Sequence, residues 1–297
     1  MTMPAAEPEM AEFRARDGLR LRADHWQGAG AAAPLVFAHG FGQTRHAWRG
    51  TASALAATGR RCIAVDARGH GASDRVADGR YAFDQFIDDA RALTAQVGTA
   101  PVWVGASMGG LVGLIAEAES ERPLYSALVL VDITPRWERA GVERILAFMR
   151  AHPGGFETLA QAQQAVADYL PHRAARERAP ERLEKLLVLG ADGRWRWHWD
   201  PRLLDTVSAD AGSIGGRLHA AARRVRIPLL LVSGGRSDVV SDHTIDEFLA
   251  LAPHAEHQRI ADATHMVAGD ANDRFGAVIT DFLARLPAGA RASVPES

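Results

Sequence analysis

The run Pro101-Val-Trp-Val-Gly-Ala-Ser107-Met-Gly-Gly-Leu-Val-Gly-Leu-Ile-Ala116 carries the strongest architectural signal in the chain. Its first four residues are apolar and of strand type, and its last six form a small-residue run that reads as a helix. Between them Ser107 stands on a tight turn flanked by Gly105 and Gly109. A serine on a sharp strand-to-helix turn presents its hydroxyl as a nucleophile. The glycines are needed because the backbone is strained there and neighbouring elements pass close to it. Gly-x-Ser-x-Gly alone recurs in many loops, so the flanking strand and helix are what give the pattern its meaning.

On either side of this turn, short β-rich runs alternate with helical patterns. The expected strands are Leu35–Ala38, Cys62–Val65, Val102–Val104, Ala127–Val131, Leu229–Val232 and about His257–Ile260. Most are uninterrupted apolar runs, as parallel strands covered on both faces should be. Before them, Glu12 to Trp26 alternates around Asp17-Gly18, a hairpin signal, and Gly28–Ala33 reads as a flexible connector. Phe83, Phe86, Ile87, Ala90 and Val97 fall on one helical face, as do Phe275, Val278, Ile279, Phe282 and Leu286. This rhythm predicts an α/β fold with a doubly wound parallel sheet, whose ligands bind beyond the carboxyl ends of the strands.

The rhythm breaks between Arg136 and Ala222. Val142–His152, Phe156–Leu170 and Ala174–Leu189 read as successive helices, followed by Trp195-Arg-Trp197-His-Trp199-Asp200-Pro201 and one more helix before Ile227. No strand is expected in this stretch. Residues 136–222 are therefore expected to form an inserted helical cap, with 1–135 and 223–297 as the core domain, and Pro287–Ser297 as a disordered tail.

Composition narrows the function classes. The chain has 297 residues, 47% of them apolar and 24% charged, with a formal charge of −2, so there is no basic footprint for nucleic acid. Cys62 is the only cysteine, which excludes an intrachain disulfide and a cysteine metal cluster. Met1–Met10 lacks a basic segment followed by an apolar core. No membrane span is expected, and the expected location is the cytoplasm. No metal-binding spacing occurs in the sequence, and no metal or cofactor is expected.

Serine is a weak nucleophile unless a base lies within hydrogen-bond reach and a carboxylate orients that base. His265, in Asp262-Ala-Thr-His-Met-Val267, falls between the last strand and the last helix, at the sheet edge where the serine opens. Asp238, in Ser233-Gly-Gly-Arg-Ser-Asp-Val-Val240, follows another strand and lies between serine and histidine in the chain, as a triad acid should. Asp132, at the end of Ala127–Val131, is the rival, although Asp132-Ile-Thr-Pro135 also reads as a turn into the inserted segment. The backbone N–H groups of Phe41, in His39-Gly-Phe-Gly42, and of Met108 can converge on an oxyanion above Ser107. His39 is expected to shape this loop rather than act as base. Asp66-Ala-Arg-Gly-His-Gly71 is expected to brace the loops around the nucleophile.

These motifs, in this order, resemble the α/β-hydrolase superfamily from about Glu12 to Leu286. The resemblance implies a mostly parallel eight-stranded sheet with an inserted cap, nucleophile Ser107, base His265, acid Asp238 and oxyanion donors Phe41 and Met108. Within the superfamily the chain is similar to the serine-nucleophile branch of esterases, lactonases, carbon–carbon bond hydrolases and cofactor-free peroxidases. Epoxide hydrolases and haloalkane dehalogenases use an aspartate nucleophile, and a serine at 107 argues against both. The expected function is hydrolysis of a carboxylic ester or related acyl bond in a small hydrophobic molecule. A lactonase, a carbon–carbon bond hydrolase, a haloperoxidase or perhydrolase, and a non-enzymatic ligand receptor are the alternatives. Trp137, Phe148, Trp195, Trp197, Trp199, Val240 and Met266, with Phe41, are candidate pocket residues; the tryptophans serve equally well as glue between cap and core.

Overall fold

A computed structural model of the chain describes residues 7–30, 32–169, 186–205, 214–270 and 272–287. Ten strands are described: β1 (Glu9–Arg14), β2 (Arg20–Trp26), β3 (Leu35–Ala38), β4 (Cys62–Val65), β5 (Val102–Ala106), β6 (Ala127–Val131), β7 (Leu187–Leu189), β8 (Trp195–Trp197), β9 (Leu229–Gly234) and β10 (Glu256–Ile260). Eight form one sheet in the order β1-β2-β4-β3-β5-β6-β9-β10. The hairpin β1–β2 pairs antiparallel, and β2 joins β4 antiparallel; every later pair is parallel. The turn at Gly18 takes φ 85°, which only glycine adopts at no steric cost.

Period-two alternation divides the core between the two faces of the sheet. On one face Ile63, Val65, Trp103, Leu128 and Leu130 pack with α2 (Phe83–Val97), α3 (Met108–Ala118), α6 (Ile214–Arg224) and α7 (Asp242–Leu251). On the other, Cys62, Ala64, Val102, Val104 and Val129 pack with α1 (Arg49–Ala56), the short α8 (Val267–Asp270) and α9 (Asn272–Arg285). The central strands are buried along their whole length, which is why they read as unbroken apolar runs. β10, at the edge, buries only Ile260 of its five residues and reads as polar.

The strand-to-helix turn at Ser107 depends on close backbone approach. A methyl group on Gly105 would lie 2.3 Å from the Gly109 carbonyl oxygen, and one on Gly109 would lie 2.5 Å from that of Ala38. Neither neighbour is a flexible side-chain end, so both positions require glycine.

Between β6 and β9 the chain leaves the sheet. It forms α4 (Arg139–Arg150) and α5 (Leu159–Tyr169), then the separate antiparallel hairpin β7–β8, closed by a turn with Gly193 at φ 76°. This corrects the expectation of helix through Leu189 and of no strand in the insertion: Leu187–Leu189 pairs with Trp195–Trp197. Three apolar residues cannot report whether their period is two or 3.6, and here cross-strand pairing with the tryptophans wins. Most of the expected helix Ala174–Leu189, like Leu170 and residues 288–297 of the tail, lies outside the described residues. Phe156 is not helical either; it exchanges two backbone hydrogen bonds with Trp195, at 2.7 and 2.8 Å. The helix Ile214–Arg224 runs across the expected boundary at 222 and packs on the α3 side of the core. Among the described residues, no helix is long and apolar enough to cross a membrane.

Candidate active site

The carboxyl ends of five adjacent strands, β3, β5, β6, β9 and β10, carry the loops that meet at one rim. After β5, Ser107 takes φ 47° and ψ −118° and opens α3. After β6, Asp132 takes φ 49°. Among the described residues these are the only two non-glycine positions with positive φ. Strain of this kind costs on the order of 1–3 kcal/mol per residue and persists only where the surroundings enforce it. The Ser107 N–H is held by the Val131 carbonyl at 3.1 Å and the Asp132 N–H by that of Val232 at 2.8 Å, so each turn is tied to its neighbouring strand.

The Asp132 carboxylate is fully buried and faces three donors. Gly234 N–H reaches Oδ1 at 2.7 Å; the Ser237 hydroxyl and His265 Nδ1 both reach Oδ2, the latter at 2.8 Å. A carboxylate only accepts, so Nδ1 of His265 carries the proton and Nε2 is left as an acceptor. Ser237 also accepts from the N–H groups of Val239 and Val240, each at 3.1 Å, which keeps its own hydroxyl hydrogen aimed at Asp132.

Asp238 does not meet His265. Its carboxylate is about one-third exposed and pairs with Arg144 Nη2 of α4 at 2.5 Å. The expected Asp238–His265 contact is therefore corrected to Asp132–His265. Both aspartates follow strand ends on the same rim and precede His265 in the chain. The difference is that the turn at Asp132 points its side chain inward, whereas the β9 loop spends its inward position on Ser237 and turns Asp238 toward the insertion.

Ser107, His265 and the loop after β3 are joined by short links. A methyl on Gly40 would stand 3.1 Å from Ser107 Cβ, so the two turns touch. Gln43 Oε1 accepts from Gly40 N–H at 3.1 Å, while its Nε2 donates to Met266 Sδ at 2.8 Å, beside the histidine. Among the described residues, neither the Ser107 hydroxyl nor the N–H groups of Phe41 and Met108 have a hydrogen-bond partner. The Ser107 hydroxyl, which makes no hydrogen bond to His265, and both expected oxyanion donors are thus uncommitted.

The loop motifs are braced from behind. His39 Nδ1 donates to the Gly40 carbonyl at 2.8 Å and Nε2 accepts from Ala67 N–H at 3.0 Å. Asp66 accepts from Arg45 N–H at 2.7 Å and Ala72 N–H at 2.9 Å, as well as from the Arg45 guanidinium. Arg68 reaches Asp89 with two bonds, at 2.6 and 2.7 Å, and Asp17 at 2.9 Å.

The insertion supplies the apolar side. A methyl on Gly42 would meet Met149 Cε at 2.7 Å and Trp199 Nε1 at 3.8 Å, and the Trp199 ring lies 6.1 Å from that of Phe41. Phe148 stacks on Tyr169 at 4.1 Å and contacts Trp197 at 5.7 Å. Trp195 packs into the insertion's own small core with Phe156 and Leu187, and Trp137 packs, half-buried, against the main core. Val240 is buried in the loop that carries Ser237, and Met266 faces Gln43. Trp199 was expected, as the third member of the alternating tryptophan run; Met149, Gln43 and Ser237 were not among the expected site residues, and no local signal marked them.

A family profile for the alpha/beta hydrolase fold matches residues 33–271. The chain is 30% identical over 264 residues to the 3-hydroxybutyrate-oligomer hydrolase of Cupriavidus necator, covering 84% of this chain and 88% of that one. It is 29% identical to the sn-1-specific diacylglycerol lipase ABHD11 of Mus musculus, covering 84% and 80%. Among solved structures, an alpha/beta hydrolase from Novosphingobium aromaticivorans superposes with a TM-score of 0.79 at 27% identity, over 94% of this chain and 99% of that one. With a profile spanning most of its length and a 30%-identical relative covered over most of both chains, the chain belongs to the alpha/beta hydrolase family.

Proposed function

We propose that the chain is a serine hydrolase that cleaves the carboxylic ester, or a related acyl bond, of a small hydrophobic molecule. Ser107 is the nucleophile, His265 the general base and Asp132 the acid that orients it. The observation that carries this reading is the pairing of His265 Nδ1 with buried Asp132 at 2.8 Å. The strained turns at Ser107 and Asp132 support it.

In the first half-reaction Ser107 Oγ attacks the substrate carbonyl carbon while its proton passes to His265 Nε2. Asp132 stabilises the imidazolium that results. The carbonyl oxygen becomes an oxyanion facing the uncommitted N–H groups of Phe41 and Met108, the latter at the positive end of the α3 dipole. Collapse of the tetrahedral centre breaks the bond to the alkoxy oxygen, which takes the proton from His265 and leaves as an alcohol. Water then gives a proton to Nε2 and its hydroxyl to the acyl carbon. The acid departs and Ser107 regains its hydrogen.

The described residues of the insertion act as a cap over this centre, and its Met149 and Trp199, beside Phe41, supply an apolar wall suited to an alkyl or aryl ester. The names of the two relatives, a hydroxybutyrate-oligomer hydrolase and a diacylglycerol lipase, support an ester as the bond broken. Hydrolysis of p-nitrophenyl butyrate by the wild type, lost by about 10⁴-fold or more in a folded Ser107→Ala variant, is the expected result. A variant that kept most of the rate would refute the assignment.

A further inference from the structure

Three buried imidazoles stand in a row behind the loop that carries Phe41. The ring centroids of His39 and His70 are 5.0 Å apart, and those of His70 and His198 are 6.1 Å apart. Their hydrogen bonds fix the tautomer of each. His70 Nδ1 lies 3.0 Å from the Arg68 carbonyl and must donate to it, so Nε2 accepts from Gly42 N–H at 3.2 Å. His198 Nδ1 accepts from Gly71 N–H at 2.9 Å, so Nε2 carries the hydrogen and points it at the Gly42 carbonyl at 3.3 Å. The two edges of Gly42 are therefore gripped by two different rings. His39 takes the carbonyl of the Gly40–Phe41 peptide, whose other edge is the Phe41 N–H itself.

His198 differs from the other two in origin, since it comes from the insertion. Its neighbours are anchored to the loop after β4: Asp200 N–H donates to the Gly69 carbonyl at 2.8 Å, and the Tyr81 hydroxyl donates to Asp200 at 2.8 Å. Gly42 takes φ +75°, a conformation glycine adopts without steric cost, and its N–H and carbonyl are the two groups these rings hold.

We propose that His198 is a positioning residue for the reaction: by holding the Gly42 carbonyl, it makes the seating of the insertion a condition for aiming the Phe41 amide at the oxyanion. The proposal rests on the reading of Phe41 as an oxyanion donor. Removing His198's grip leaves the donor present but less well aimed. The loss in turnover is then about tenfold, smaller than the roughly 10²-fold of deleting an oxyanion donor outright.

Two substitutions separate the two bonds of this ring. In His198→Gln the side-chain amide reaches about as far as Nε2 and keeps the bond to Gly42. In His198→Asn it reaches only as far as Nδ1 and keeps the bond to Gly71. Each loses one hydrogen bond, so a purely structural role lowers stability and rate alike in both. The expected result on p-nitrophenyl butyrate is a kcat about tenfold lower in His198→Asn with KM within twofold of wild type, and a kcat within about twofold of wild type in His198→Gln. Should His198→Asn not fold, His198→Phe fills the same space with neither bond and carries the same expectation. Equal losses in the two variants, or a loss confined to KM, would overturn the proposal while Ser107→Ala still abolished the reaction. Survival of activity in Ser107→Ala would instead remove the reading beneath it.

Discussion

Replacing Asp132 by asparagine is the perturbation whose size is best worked from the geometry. The carboxylate accepts from Gly234 N–H, Ser237 Oγ–H and His265 Nδ1–H. An amide can keep its oxygen on Gly234, and it then points an NH₂ group at Nδ1. Two donors cannot face each other, so the imidazole moves its hydrogen to Nε2 and Nδ1 accepts from the amide. Nε2, the nitrogen proposed to take the serine proton, then carries a hydrogen and has no lone pair to accept with. When the acid of a Ser-His-Asp triad is made an amide in this way, kcat falls by about 10⁴-fold, or about 5.5 kcal/mol in barrier height. The matched control is Asp238→Asn, which removes one partly exposed ion pair with Arg144, of a kind that contributes about 0–1 kcal/mol of stability and does not touch His265. Steady-state kcat for p-nitrophenyl butyrate, normalised to folded enzyme by circular dichroism, should separate the two variants by at least about 10³-fold. A collapse of turnover in Asp238→Asn with Asp132→Asn near wild type would refute the reasoning from geometry.

Two further outcomes follow from the packing. Burial pushes the imidazole of His198 down to about 4, outweighing the attraction of the Asp66 carboxylate, and burial also lowers those of His39 and His70. Between the ordinary histidine value near 6.5 and about 4, the unfolded chain binds protons that these folded rings refuse, so stability falls as the pH is lowered through that window. His198 alone accounts for about 3 kcal/mol of that loss; urea unfolding midpoints that stay level from pH 7 to pH 4.5 would contradict it. In Gly105→Ala the new methyl meets the Gly109 carbonyl at 2.3 Å, and the serine turn must open to admit it. Thermal unfolding should register a loss of about 1–3 kcal/mol together with most of the activity, and an unchanged melting temperature would show that the turn is not so tightly packed.

Much of the architecture was legible because burial on both faces of a parallel sheet leaves its mark as unbroken apolar runs. Leu35–Ala38, Cys62–Val65 and Ala127–Val131 coincide with their strands. β10, an edge strand, lacks that mark, since only Ile260 of its five residues is buried. The insertion was harder to read. Leu187–Leu189 is too short for its period to show, and its partner strand is recognised only once Trp195 and Trp197 are seen packing against Phe156. At the site, Ser107 carries a local signature and His265 a positional one. The proposed acid has neither, because Asp132 and Asp238 share strand-end placement and chain order. What separates them is the left-handed turn and full burial at Asp132, against the exposed ion pair at Asp238. The role of His198 depends on a contact between residues 156 positions apart, which no local pattern reports.

Covalent labelling tests the central claim most directly. Incubation with a fluorophosphonate probe, followed by intact-mass measurement and peptide mapping, should give one adduct per chain, located at Ser107. Ser107→Ala should take up none, and wild type first acylated by a slow ester should be protected. An adduct on any other residue, or an unmodified wild-type enzyme that still hydrolyses esters, would contradict the account.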